Sequence, residues 1–424
     1  MQIMITARSF LRKALWAIGL PGVLLFAVRC TENGPGLQHG IWRAALQRAD
    51  GQQVVFNFEV ADTAGRPVIA IFNADERMRV DSILFRDDSV FIRMPFFDSY
   101  FAAKINTDGS LQGTWTKNYG NRLETMPFHA VPGDSTRLPA YAKPAQDISG
   151  SWEVSFPGEE DISKAIGLFQ QNGNQLSGTF MTPSGDFRYL QGVVSGDTMK
   201  LSGFDGGHAL LFTARIDSAN VLSDGRLYSI NSEAAPWSAQ KKVFDSLPAA
   251  YAVSDIPPGT VKLKFRLQDM RSSRTVSLTD SAFLGKVTVI QILGSWCPNC
   301  MDETPFFTEY YRENRQRGVE FIGIDFERTP DLTASKQALQ SFFNRFDIPY
   351  PVLFSGVAAS DTALTRKVFP ELPVAIRIFP TTIFIDRQGY VRKLHSGLNG
   401  PATGKYYEQF KAEFRAIMNG LLAE

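Results

Sequence analysis

From residue 41 to residue 131 the chain alternates apolar and polar positions in short runs. Val54-Val55-Phe56-Asn57-Phe58-Glu59-Val60, Val68-Ile69-Ala70-Ile71-Phe72 and Val90-Phe91-Ile92-Arg93-Met94 are examples. A two-residue period sends successive side chains to opposite faces of a strand. Asp50-Gly51, Ala64-Gly65, Asp87-Asp88 and Asp108-Gly109 punctuate the runs, and strands at such even spacing predict an antiparallel sandwich or small barrel. The pattern then recurs. Gly40-Ile41-Trp42 matches Gly150-Ser151-Trp152, Phe101 to Ile105 matches Phe212 to Ile216, and Gly113 matches Gly225. The offset, about 110 residues, is too long for a solenoid repeat. It predicts two copies of one all-β domain, 40–131 and 150–240, joined by a linker containing Pro139 and Pro144. Each copy has room for about eight short strands, enough for a small closed barrel. Trp42 and Trp152 are expected to plug barrels filled by their own side chains. Glu159, Glu160 and Asp161 read as a solvated loop.

Beyond a second linker, Lys241 to Gly259, the pattern becomes mixed. Val261 to Leu267 and Thr275 to Leu278 alternate and predict a hairpin-like entry. Val287 to Leu293 is a continuous apolar run rich in β-branched residues, as expected of a central strand buried on both faces. Phe306, Phe307, Tyr310 and Tyr311 follow at helical spacing. Val319 to Phe326 predicts a second buried strand whose Asp325 end faces the same sheet edge. Leu332 to Phe346 predicts a helix, Tyr350 to Phe354 a short strand, and Thr382 to Ile385 with Tyr390 to Leu394 a hairpin. A last helix, about 401 to 422, carries Tyr406, Phe410, Phe414 and Met418 four apart. Strands alternating with helices and ending in a hairpin give a three-layer α/β/α domain over 258–424.

With 44% hydrophobic and 21% charged residues the chain has the makeup of a folded protein, and its net charge of +1 with no basic stripe argues against nucleic acid as a partner. The three cysteines change the picture more. Cys297 and Cys300 lie where the central strand passes into a helix, within Trp296-Cys297-Pro298-Asn299-Cys300. Unpaired N–H groups at a helix start favour a thiolate at Cys297, and Cys300, one turn on, is placed to close a disulfide with it. Pro298 suits the first helical turn, where its missing N–H costs nothing. Zinc sites also use Cys-x-x-Cys, but they need two further ligands. The only other cysteine is Cys30, and His39, His129, His208 and His395 are scattered singly. A redox dithiol is the better reading, with no metal and no cofactor.

Gly294-Ser295-Trp296-Cys297-Pro298-Asn299-Cys300, with Glu303 and Pro305 beyond it, resembles the active site of thioredoxin-fold disulfide reductases of the TlpA/ResA type. Phe379-Pro380-Thr381-Thr382-Ile383-Phe384-Ile385-Asp386 resembles that family's cis-proline strand, with Phe379 standing where smaller residues are common. The resemblance covers 258–424. It implies a thioredoxin fold, and a strand and helix between its halves look like the TlpA-type insertion. It also implies Cys297 as nucleophile, Cys300 as resolving thiol and Glu303 as a buried proton carrier. Pro380 would be cis and lie against Cys297, while Trp296, Pro298 and Phe379 would form the rim that meets the substrate, Trp296 exposed. Gly-x-Trp at the start of each β copy resembles the opening of lipocalin-type barrels.

Arg8, Arg12 and Lys13 precede an apolar stretch, Ala14 to Val28, shorter than the ~20 residues of a spanning helix. The segment 1–30 reads as an export signal. Leu25 to Cys30 resembles a bacterial lipobox with Arg29 out of pattern, which makes Cys30 a lipidation candidate and the periplasmic face of the envelope the expected location. The expected partners are disulfide-containing proteins, a membrane or periplasmic thiol reductant, and the membrane through the lipid. Two other classes stay open: a binding lipoprotein whose redox domain is accessory, and a thiol peroxidase of the same fold. A peroxidase would need a Pro-x-x-x-Thr-x-x-Cys setting, which is missing. Every redox residue lies beyond Pro257, so the β-region is expected to be dispensable for thiol chemistry.

Overall fold

The structure, a computed structural model, describes residues 36–120, 122–158, 162, 164–244 and 254–424. The export segment with Cys30, and the carboxylates Glu159, Glu160 and Asp161, lie outside the described residues.

The first β-module has nine strands: β1 (Gly40–Gln47), β2 (Gln53–Thr63), β3 (Arg66–Asn73), β4 (Glu76–Val80), β5 (Ser82–Arg86), β6 (Ser89–Arg93), β7 (Ser99–Ile105), β8 (Leu111–Asn118) and β9 (Leu123–Pro132). They form one antiparallel sheet in the order β4-β3-β2-β1-β9-β8-β7-β6-β5. The second module repeats the scheme with β10 (Gly150–Ser155), β11 (Lys164–Asn172), β12 (Gln175–Thr182), β13 (Gly185–Asp186), β14 (Leu190–Ser195), β15 (Thr198–Phe204), β16 (Ala209–Ser218), β17 (Val221–Ser229) and β18 (Ala235–Lys241). Here β12 pairs with both β11 and β14, so eight strands close into a barrel with β13 as a spur. The matching seam of the first module lies between β4 and β5, which are not hydrogen-bonded to each other.

The duplication is visible in atomic detail. The indole of Trp42 donates to the Gln38 carbonyl at 2.8 Å, and that of Trp152 to the Ile148 carbonyl at 2.9 Å. Both rings are fully buried, as core plugs should be. Gly40 and Gly150 enter their strands at φ +107° and +115°, where a Cβ would be strained. Trp152, Phe156, Phe180 and Phe212 fill the second barrel. Its Phe204 leaves that barrel and joins the core of the first, stacked on Phe56 at 4.3 Å. The linker between the modules is also tightly held. Arg137, 5% exposed, reaches the Phe72 carbonyl, Asn73 Oδ1 and both oxygens of Ser202.

The C-terminal sheet has β19 (Ser254–Asp255), β20 (Leu267–Asp269), β21 (Thr275–Val276), β22 (Val287–Leu293), β23 (Val319–Asp325), β24 (Val352–Phe354), β25 (Thr381–Ile385) and β26 (Val391–Ser396), in the order β19-β26-β25-β22-β23-β24-β20-β21. All seven residues of β22 are buried, as its unbroken apolar run predicts. Its odd positions Val287 and Val289 share a core with Phe306, Phe307 and Tyr310 of α1 (Pro298–Asn314), Leu339 and Phe342 of α2 (Leu332–Phe346), and a third helix discussed below. Its even positions Ile290 and Ile292 pack with Leu364 and Val368 of α3 (Leu364–Val368) on the opposite face. The third helix of the first face is α4 (Lys405–Ala423), whose four-residue stripe Tyr406, Phe410, Phe414 and Met418 is buried. This is the expected three-layer thioredoxin fold.

Two expectations need correction. Val261 to Arg266 is not a strand, although Val261, Leu263 and Phe265 are buried. Alternation there serves packing against the sheet, and the ladder begins only at Leu267. The second linker also ends earlier than expected: Ser254 and Asp255 pair with β26, and the Ile256 N–H donates to the Arg392 carbonyl at 2.9 Å. The exposed backbone of this sheet edge accepts a strand, whatever its apolar content.

Candidate active site

The loop leaving β22 turns at Gly294 and delivers Cys297 as the N-cap of α1. The Cys300 N–H donates to Cys297 Sγ at 3.1 Å, the two Cα atoms are 5.3 Å apart, and the cysteines form a disulfide. The sulfur therefore fills a role usually played by a capping oxygen. The Phe379–Pro380 peptide is cis, and Thr381 and Thr382 follow at once in β25.

Trp296 is half-buried rather than exposed. Its indole donates to the Phe326 carbonyl at 2.8 Å, and its ring stands edge-on to Phe379 with centroids 5.1 Å apart. The bulky Phe379 thus props the rim that a smaller residue would leave open. Cys297 is 2% exposed and Cys300 fully buried.

Glu303 lies one turn past Cys300, on the same helix face, and is fully buried. Gln291 Nε2 donates to one carboxyl oxygen at 2.8 Å and Thr382 Oγ1 to the other at 2.9 Å. Burial pushes this carboxyl up to about 8, against the pull of those two hydrogen bonds. Gln291 is itself held by Thr304 and Tyr350. A glutamate is therefore suspended between the central strand, the active-site helix and the strand that follows the cis-proline. Asp325, at the end of β23, is also fully buried. Burial first, then the neighbouring Glu327, hold it protonated well above the usual range, while Glu327 accepts the Ser295 N–H at 2.7 Å.

What covers this site has no signature in the local pattern of the chain. The β12–β14 loop of the second β-module, residues 183–189, lies against the start of α1. With its amide oriented to satisfy both atoms, Asn299 donates to the Asp186 carbonyl at 3.1 Å and accepts from the Asp186 N–H at 3.0 Å. The Gly400 N–H donates to Asp186 Oδ1 at 2.9 Å. Arg188 donates to both oxygens of Asp302, at 3.0 and 2.9 Å, and to Glu76 of the first module at 2.7 Å, with Asp205 at 3.7 Å. One guanidinium thus ties both β-modules to the residue after Met301. Three carboxylates meet on this cation, and Asp205 also takes the His208 ring at 3.0 Å. Burial holds Asp186 up at about 6 and Asp302 up at about 7. From the first module, Phe97 packs into the same core as Cys297 and Cys300. The expectation that the β-region is dispensable for thiol chemistry takes no account of these contacts.

Among the described residues no group of His, Cys, Asp or Glu is arranged to hold a metal ion, and no helix is long and apolar enough to cross a membrane.

The Redoxin family model matches residues 254–409. The chain is 28% identical over 161 residues to a thiol-disulfide oxidoreductase ResA of Halalkalibacterium halodurans, covering 38% of this chain and 76% of that protein. Residues 254–409 form a Redoxin domain of the ResA/TlpA thioredoxin-like type. ResA proteins of Bacillus subtilis (28% over 142 residues, 34% of this chain and 69% of that one) and of a Bacillus thuringiensis strain (27% over 128 residues, 30% and 63%) match the same way. A thiol:disulfide interchange protein of Chlorobium tepidum aligns in structure over 40% of this chain and 99% of its own, with a TM-score of 0.30 and 22% identity. The Redoxin domain is the thiol–disulfide oxidoreductase part of the chain. The Asn299 and Asp302 contacts join its active-site helix to β-modules that lie outside the matched residues.

Proposed function

We propose that the chain is an extracytoplasmic thiol–disulfide oxidoreductase that reduces protein disulfides through Cys297 and Cys300. The observation that carries this reading is Glu303, buried one turn beyond the cysteine pair and held at about 8. That value lies close to an ordinary thiol's ~8.5, so a proton moves between the two at little cost. In the dithiol form, the Cys297 thiolate attacks a substrate disulfide, forming a mixed disulfide and releasing one substrate thiolate. Cys300 gives its proton to ionised Glu303 and attacks Cys297 Sγ, re-forming the Cys297–Cys300 disulfide and releasing the second thiolate. Two electrons pass to the substrate, whose sulfurs take up two protons, and a thiol reductant of the envelope must restore the dithiol. Trp296, Pro298, Phe379 and Pro380 form the substrate rim. The export segment and Cys30 support a location at the periplasmic face, anchored by lipid.

Direction follows from charge. An oxidase must strongly stabilise its reduced thiolate. The dipeptide between the cysteines, Pro298-Asn299, brings no cation to hold a thiolate, and the buried Glu303 supplies none. The potential is expected nearer thioredoxin's ~−270 mV than a strong oxidase's ~−120 mV. Equilibration with glutathione measures it, and a value above about −180 mV would refute the reductase reading. A Cys300→Ala variant should accumulate mixed disulfides with its protein substrates.

A further inference from the structure

A cleft of about 1870 Å³ opens beside Trp296, between the first β-module and the Glu327–Asp331 turn with α2. It is well above the ~300–1,000 Å³ of ordinary small-molecule sites. At its active-site end three cations gather on one ring. Lys117 Nζ, Arg122 Cζ and Arg328 Cζ stand 4.8, 4.9 and 4.8 Å from the centroid of Tyr119. The Arg328 guanidinium is also 5.3 Å from the ring of Trp296, the residue before the nucleophile. No two of these charges are much more than about 10 Å apart, within a Debye length at ordinary salt, so they repel one another.

The carboxylates of the cleft are already engaged. Asp81 and Asp98 face Arg79 and Arg93, Glu327 holds the Ser295 N–H, and Asp331 caps α2. Lys117 donates to the Gly207 carbonyl at 2.7 Å. Among the described residues, Arg122 and Arg328 have neither an ion-pair partner nor an acceptor for their side-chain N–H groups. Contact through the face of a guanidinium leaves its N–H edge available, and that fork matches a carboxylate. Arg345, on the α2 wall, extends the positive field away from the active site.

We propose that this cleft docks an acidic polypeptide segment flanking the substrate disulfide, its carboxylates on Arg328 and Arg122 and its cystine at Cys297. The proposal rests on the disulfide-reductase reading and deepens it. The size of the cleft favours a chain segment over a small anion, and its unspent charge selects an acidic one.

The test uses the full-length protein in its dithiol form and measures second-order rate constants in single turnover. Two synthetic peptides carry the same disulfide loop, one flanked by Asp and Glu and the other by Lys. A small neutral disulfide normalises each preparation. The acidic peptide should react on the order of 10- to 100-fold faster than the basic one, the advantage shrinking steeply with salt. Arg328→Gln should cut that advantage about tenfold, and the exposed Arg122→Gln by a smaller factor, while Arg328→Lys restores part of it. Equal rates for the two peptides, or an acidic preference that both glutamine variants retain, would overturn the docking assignment. So would a small dicarboxylate disulfide reacting as fast as the acidic peptide. If no disulfide reacts at all, the oxidoreductase reading itself fails, and docking with it.

Discussion

Glu303 is the buried carboxyl beside the cysteine pair, and its protonation ties stability to pH. Its ordinary value is 4.5 and burial lifts it to about 8. A carboxyl raised on folding binds more protons folded than unfolded between those values. Its contribution to stability is therefore complete below about pH 4.5 and is lost as pH rises toward 8. The shift corresponds to at most on the order of 5 kcal/mol. Glu303→Gln should remove this slope and leave the protein more stable than the parent at pH 8, as melts across pH would report. The same change should slow attack by Cys300 and flatten the pH dependence of thiol reactivity. A pH–rate profile identical to the parent's would leave Glu303 a packing residue only.

At the scale of elements, the short spur β13 is the unexpected part of the site. Gly185 has φ +142°, and a Cβ there would come 1.6 Å from the Asn299 amide. Only glycine lets the loop lie flat on the start of α1. Gly185→Ala should push the loop off the helix. Overpacking of this kind costs about 1–3 kcal/mol, and 1.4 kcal/mol is a factor of ten. A small dithiol should then reduce the Cys297–Cys300 disulfide roughly tenfold faster, because the loop no longer shields it. An unchanged reduction rate would show that this loop does not control access.

Across the whole molecule, Arg188 joins both β-modules to the Redoxin domain. Arg188→Met would leave Asp302 and Glu76 without their cation, Asp205 keeping His208, a loss of about 3–5 kcal/mol. Protonation relieves that burden. Asp186 and Asp302 already sit at about 6 and 7, so their native stabilisation is full below their ordinary 3.8 and is lost as pH rises toward 7. The variant should consequently be much weaker than the parent at pH 8 and closer to it at pH 5. Hydrogen exchange at residues 183–189 and the first turn of α1 would locate the opening. Equal losses at both pH values would mean that the network is not electrostatic in origin.

Local pattern was enough for much of this protein. An unbroken β-branched run, Cys-x-x-Cys at a strand-to-helix junction and a four-residue aromatic stripe each reflect a physical constraint acting within a few residues. The thioredoxin fold, the dithiol at the helix start and the duplication of the β-modules could therefore be read from the sequence. The cover over the active site could not. Arg188 meets Asp302 across 114 residues and Glu76 across 112, and Asn299 meets the backbone of a spur two residues long. Such contacts follow no periodicity, and each residue alone reads as an ordinary surface charge or amide. The half-burial of Trp296 has the same origin, since it depends on Phe326, Phe379 and Arg328, none of them near it in the chain. Local pattern in the chain was enough to place the cysteine pair at a helix start beside a buried strand. Only tertiary packing decided how the two β-modules close over them, because burial and charge pairing belong to surfaces that exist only after the chain has folded.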